Sequence, residues 1–161
     1  ARREFVAVHT PGHTTDHLCL YDPEGGLMLC GDHVLPTITP HISGFGPAAD
    51  PLQDFFISLD RVADFEGIEL ALPAHGQPFT NLPARVEDIK RHHQERLDLL
   101  REASDKLGNA SVHKYMKELF QQRSWGPMAE SETFAHLEHL RRTGETEAAR
   151  APSGVLEYSF H

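Results

Sequence analysis

Cysteine is scarce in this chain: of 161 residues, only Cys19 and Cys30 carry a thiol. Two cysteines exclude a disulfide framework as the organising element of the fold. Both lie in apolar, strand-like runs, so they read as buried free thiols, which fits a reducing cytoplasm. Long apolar runs are missing as well. No window of about 18 apolar residues occurs, so no helical membrane span is expected, and no signal-peptide pattern opens the chain. Basic residues are outnumbered, 15 Lys and Arg against 24 Asp and Glu. Residues 1–104 hold 8 basic and 16 acidic side chains, and residues 105–161 hold 7 and 8. A nucleic-acid binder needs a basic footprint to release counterions, and neither part supplies one.

What the chain has in quantity is histidine, 12 residues. Their value depends on placement. Phe5-Val6-Ala7-Val8 reads as a strand, followed by the loop His9-Thr10-Pro11-Gly12-His13-Thr14 with its Pro and Gly breakers. Residues 17–21 form a second strand and 27–30 a third, joined through Pro23-Glu24-Gly25-Gly26 as a hairpin. Residues 36–51, rich in Pro, Gly, Thr and Ser, read as a long loop, the kind that often carries function. Asp50-Pro51 looks like an N-cap with proline at the first helical position. Leu52, Phe55, Phe56, Leu59 and Val62 then repeat at helical spacing to about residue 65. A strand at 68–72 runs into Pro73-Ala74-His75-Gly76. A long helix follows over 83–104, with Val86, Ile89, His93, Leu97 and Leu100 on one face; His93 reads as a helix-face residue. Beyond Gly108 come helices over 111–121 and 129–143, stopped by Gly144, and a hairpin of 147–150 with 155–160. That outline resembles a winged-helix module, so the chain divides into 1–107 and 108–161.

Three short motifs share one property: each sets a metal-ligand side chain just after a strand. They are Thr10-Pro11-Gly12-His13-Thr14, Gly31-Asp32-His33 and Pro73-Ala74-His75-Gly76. Imidazole and carboxylate suit zinc, and the glycines let the backbone turn sharply beside each ligand. One histidine beside one glycine is ordinary; the order and separation of all three are far more specific.

In that order the motifs resemble the later metal-binding motifs of the metallo-β-lactamase superfamily, with Ala74 where a glycine is commoner. The resemblance covers about residues 5–104. It implies an α/β fold, the C-terminal half of an αββα sandwich, followed by a small winged-helix-like unit. The tail is similar to that of one branch, the β-lactamase-like-protein-2 and hydroxyacylglutathione-hydrolase-like enzymes. The resemblance further implies that His13 ligates a first zinc, Asp32 bridges two, and His75 ligates the second, other divalent metals being alternatives. His33, His41 and Thr14 are candidates for supporting a ligand or lining the substrate cleft. His17 is expected on the surface or beside a ligand.

The family's His-x-His-x-Asp-His motif is absent. The expectation is therefore a fragment whose parent hydrolyses a small ester, thioester or lactone through a metal-bound hydroxide, the fragment alone being inactive. Its expected partners are a small-molecule substrate, the missing N-terminal half of the fold and a second copy of the chain, with no nucleic acid and no membrane, in the cytoplasm. The rivals are a metal-dependent nuclease and a non-catalytic winged-helix binding protein. Glu130, Glu132 and Glu138 beside Arg141 and Arg142 suit a major-groove reader poorly.

Overall fold

Short runs of β-branched and aliphatic residues, broken by glycine turns, build the first sheet. In the computed structural model, which describes residues 3–161, β1 (Val6–His9), β2 (Leu18–Asp22), β3 (Leu27–Gly31) and β4 (Leu70–Pro73) pair in the order β1-β2-β3-β4. The first two pairings are antiparallel, with Val8 opposite Cys19 and Leu20 opposite Leu29; β3 and β4 are parallel, with Met28 opposite Ala71. Side chains alternate between faces along a strand. One face carries Val8, Cys19, Met28, Cys30 and Ala71, all buried. The other carries Leu18, Leu20, Leu27, Leu29, Leu70 and Leu72, which are half-buried or exposed, Leu18 reaching 52%. The two thiols are free and buried, as their apolar setting predicts.

The connection from β3 to β4 contains α1 (Pro51–Ala63), whose Leu52, Phe55, Leu59 and Val62 are all fully buried at helical spacing. The helix is two residues shorter than its apolar periodicity suggests. The strand after it starts at Leu70 rather than 68. The long helix α2 (Leu82–Leu107) buries Leu82, Val86, Ile89, His93, Leu97 and Leu100 along one face. Its start is fixed by Asn81, which takes a left-handed φ of 58° and accepts the Ala84 N–H through Oδ1 at 3.3 Å.

The chain forms two compact units. One comprises residues through His41 with Gln53–His92; the other comprises Ile42–Leu52 with His93–His161. They divide inside α2, between His92 and His93, whereas the domain boundary expected from sequence lies at 107, just before Gly108. In the second unit, α3 (Val112–Leu119) and α4 (Pro127–Arg142) precede a hairpin of β6 (Thr146–Arg150) and β7 (Leu156–Phe160). A two-residue strand, β5 (Ala110–Ser111), joins β7 and completes a sheet of order β5-β7-β6; it is too short to show a period. Gly144 ends α4 as expected, with φ 83°. Glu145 N–H bonds the Leu140 carbonyl and Gly144 N–H the Arg141 carbonyl, the paired bonds of a Schellman stop.

Candidate metal centre

Strand direction decides where the three motifs meet. Because β1 and β3 are both antiparallel to β2, they run the same way, and β4 runs with them. Their C-terminal ends lie along one edge of the sheet. The loop from Thr10, then Asp32, then His75 each leave from that edge. The register carries past the last pair: Ala74 N–H bonds the Gly31 carbonyl at 2.8 Å.

Asp32 and His75 come together there, with Oδ1 and Nε2 3.3 Å apart. His13 is held differently. Its Nδ1 lies 2.7 Å from the His41 carbonyl oxygen. A carbonyl only accepts, so Nδ1 carries the hydrogen and Nε2 keeps its lone pair. Metal-ligating histidines are commonly oriented this way. His13, Asp32 and His75 do not all fall within 4.8 Å of one another.

The loop carrying His13 is pinned to α1. Gly12 has φ 135°, and a Cβ there would stand 2.6 Å from the Phe55 Cα, so only glycine fits. Ser58 Oγ donates to the Pro11 carbonyl, and Arg61 Nη1 donates to the His9 carbonyl at 2.5 Å.

His17, expected on the surface or beside a ligand, is tied by the geometry directly to Asp32. The Asp32 N–H donates to His17 Nε2 at 3.2 Å, and His17 Nδ1 lies 2.7 Å from Thr10 Oγ1. Nε2 therefore accepts, and Nδ1–H donates to the threonine. Burial, then the nearby His13, lowers the His17 pKa, with Asp32 acting the other way; the ring thus stays neutral and suited to accepting. Gly31, with φ 54°, makes room for it, since a Cβ there would meet Nε2 at 2.6 Å.

The remaining candidates fall in distinct places. His33 is fully buried, edge-on to Phe55 at 5.1 Å and 5.7 Å from the His17 ring. Burial, reinforced by His17, pushes its pKa down to about 3. His41 meets the site through its backbone carbonyl, as described above. Thr14 is exposed, and its carbonyl accepts the Gly12 N–H at 3.1 Å. Two further features escape a sequence reading. Pro36 packs on Gly76 so closely that a Cβ there would stand 2.7 Å from Pro36 Cγ. Arg85 holds the same loop by donating to the carbonyls of Leu35 at 2.6 Å and Ile38 at 2.9 Å.

Comparison with known proteins identifies the family. The family model described as Metallo-beta-lactamase superfamily matches residues 1–107. The crystal structure of a metallo-beta-lactamase family protein from Thermus thermophilus is similar over 99% of this chain, at 33% identity and a TM-score of 0.87. A beta-lactamase domain protein from Burkholderia ambifaria is similar over the same share, at 29% identity and a TM-score of 0.88. The chain covers 50% and 49% of those two proteins. Among curated relatives, the lactamase-like protein vrtG of Penicillium aethiopicum is 40% identical over 89 residues, 55% of this chain and 26% of that protein.

Proposed function

Since this chain belongs to the metallo-beta-lactamase superfamily, whose members are generally hydrolases, we propose that it forms the C-terminal part of a dinuclear zinc hydrolase acting on a small ester, thioester or lactone. His13, Asp32 and His75 are its share of the metal ligands. The observation that carries this reading is the 3.3 Å between Asp32 Oδ1 and His75 Nε2. Two ligands about 2.0–2.2 Å from a tetrahedral zinc lie about 3.3–3.6 Å apart. The donors are those zinc prefers, and the hydrogen bond from His13 Nδ1 to the His41 carbonyl leaves Nε2 ready to ligate.

When bound, the metals supply a water of lowered pKa and polarise the substrate carbonyl. This chain's own residues hold and aim. His17 fixes the backbone at Asp32, Arg85 and Pro36 fix the loop facing His75, and α1 fixes the loop of His13. Neither cysteine serves as a nucleophile: burial raises the Cys19 pKa to about 11 and drives that of Cys30 higher still. The acidic composition favours a small substrate over nucleic acid. The half-exposed leucine face of the first sheet is proposed to receive the other half of the sandwich, and the second unit to be winged-helix-like. Among the described residues no helix is long and apolar enough to cross a membrane. The two free thiols support a cytoplasmic location.

The test is turnover of thioester and lactone panels by the full-length protein. Changing Asp32 to Asn or His75 to Ala should lower kcat/KM at least about 100-fold, more than loss of a supporting partner usually does. Activity that survives both changes would reject the assignment.

A further inference from the structure

We propose that the second unit has a metal site of its own, a buried clip for a zinc-type divalent ion made by His93, Glu132 and His136. It shares no residue with the centre at the sheet edge and does not rest on that reading.

One ligand atom from each of the three residues lies within 4.8 Å of the other two. The elements bring them there by different means. Glu132 and His136 are four residues apart on α4, and such positions lie on one face of a helix. His93 comes from the buried face of α2. Both imidazoles are completely buried. Their nitrogens, Nδ1 of His93 and Nε2 of His136, are 3.1 Å apart. That is slightly less than the about 3.3 Å between two nitrogens on one tetrahedral zinc, so a shift of a few tenths of an ångström admits the ion.

The hydrogen-bond pattern orients the set for ligation. His136 Nδ1 lies 2.7 Å from the Glu132 carbonyl oxygen, so it carries the hydrogen and Nε2 keeps the lone pair. A ring nitrogen bonded to a backbone carbonyl is the usual support behind a metal-ligating histidine. Burial lowers the His136 pKa to about 4, so the ring is neutral at pH 7. His93 Nδ1 now donates to His136 Nε2; the ion takes the place of that hydrogen, which moves to His93 Nε2. Glu132 is steadied by Arg96, whose Nη1 lies 3.3 Å from Oε1, while the guanidinium sits 4.3 Å above the Phe120 ring. Ligating carboxylates are typically held by such an outer partner. Two histidines and one carboxylate are a common set for zinc and for related transition metals, with a fourth position left for water.

Cobalt titration of the metal-free chain tests this, because tetrahedral Co(II) absorbs strongly in the visible and needs no turnover to be seen. The double variant Asp32→Asn/His75→Asn removes the sheet-edge donors. It should still bind one Co(II) per chain with a tetrahedral spectrum, and zinc should displace it. Glu132→Gln and His93→Gln keep side-chain volume near native; each should weaken binding at least tenfold, with far-UV circular dichroism confirming that the chain is folded. The proposal is overturned if cobalt binding disappears in the Asp32/His75 variant but survives in Glu132→Gln. It is equally overturned if no Co(II) binds tighter than about 1 mM to any form.

Discussion

Replacing Gly12 by alanine puts the link between loop geometry and site geometry under direct strain. The residue is buried and has φ 135°, a region that side-chain-bearing residues enter at a cost of about 1–3 kcal/mol. The new methyl group would also stand 2.6 Å from the Phe55 Cα. That neighbour is helix backbone, and the Phe55 side chain is fully buried with no solvent to swing into. Overpacking of this kind costs about 1–3 kcal/mol. The two terms together give a loss of about 2–6 kcal/mol. With a urea slope of about 2 kcal/mol/M, the unfolding midpoint should fall by about 1–3 M. Gly46→Ala is the matched control, since its φ is unremarkable and nothing lies within 4 Å of the added carbon; surface changes of that type stay within about 0.5 kcal/mol. Phe55→Ala keeps the Cα and Cβ that the new methyl group meets and removes only Cδ2, 2.8 Å away, so the double variant Gly12→Ala/Phe55→Ala should recover little of the Gly12→Ala loss. If Gly12→Ala matches Gly46→Ala in midpoint, the packing argument for this loop is wrong.

Other expectations follow from other parts of the molecule. Tyr158 is fully buried and donates to Glu138 Oε1 at 2.6 Å; Tyr158→Phe should cost about 1.5–3 kcal/mol in urea unfolding, as for a hydrogen bond to a charged group. The Arg101 guanidinium donates to both oxygens of Glu145, at 2.7 and 3.0 Å, and holds its pKa below the usual glutamate value. A depressed carboxylate contributes stability above its unfolded pKa and loses it as pH falls through its folded one. Acid unfolding should therefore show a contribution at and below about pH 4.5 that Glu145→Gln abolishes; an unchanged pH profile would show the pair to be idle. Both cysteines should resist a disulfide-exchange thiol reagent at pH 7.5 in the folded chain and react promptly in denaturant, their thiolates being suppressed by burial. Fast labelling of the native protein would contradict the packing of β2 against β3.

The strand ends were legible because period-two alternation and glycine punctuation are local signals, and the three motifs sit where those signals stop. Once β1, β3 and β4 are known to be strands, only their relative directions are needed to put Asp32 beside His75. The helices were legible too, through Leu52, Phe55, Leu59 and Val62 in α1 and Val86 to Leu100 in α2. What escaped depends on contact rather than period. His17 opens a strand and reads as a surface residue or a partner beside a ligand; the β2–β3 register, which brings its Nε2 to the Asp32 N–H, decides between the two. His93 has the spacing of a helix-face residue, and so it is, but its partner His136 lies 43 residues away on a helix whose packing angle no local pattern encodes. Asn81 caps α2 two residues before the expected start at 83, through a left-handed φ that no apolar periodicity carries.

The parallel pairing of β3 with β4 separates two kinds of distance. Asp32 and His75 are neighbours because their strands are neighbours, and strands in a sheet stand about 4.8 Å apart whatever the chain does between them. The segment joining them is free to change in length. Flexible-loop closure grows only with the logarithm of length, about 0.6 kcal/mol per doubling. Insertions beside Thr37 and Ile38, an exposed part of the connection close to Pro36 and its contact with Gly76, can thus reshape what approaches the sheet edge while leaving the donor pair where it is. A scaffold of this kind lets substrate preference diverge at the rim without renegotiating the chemistry beneath it.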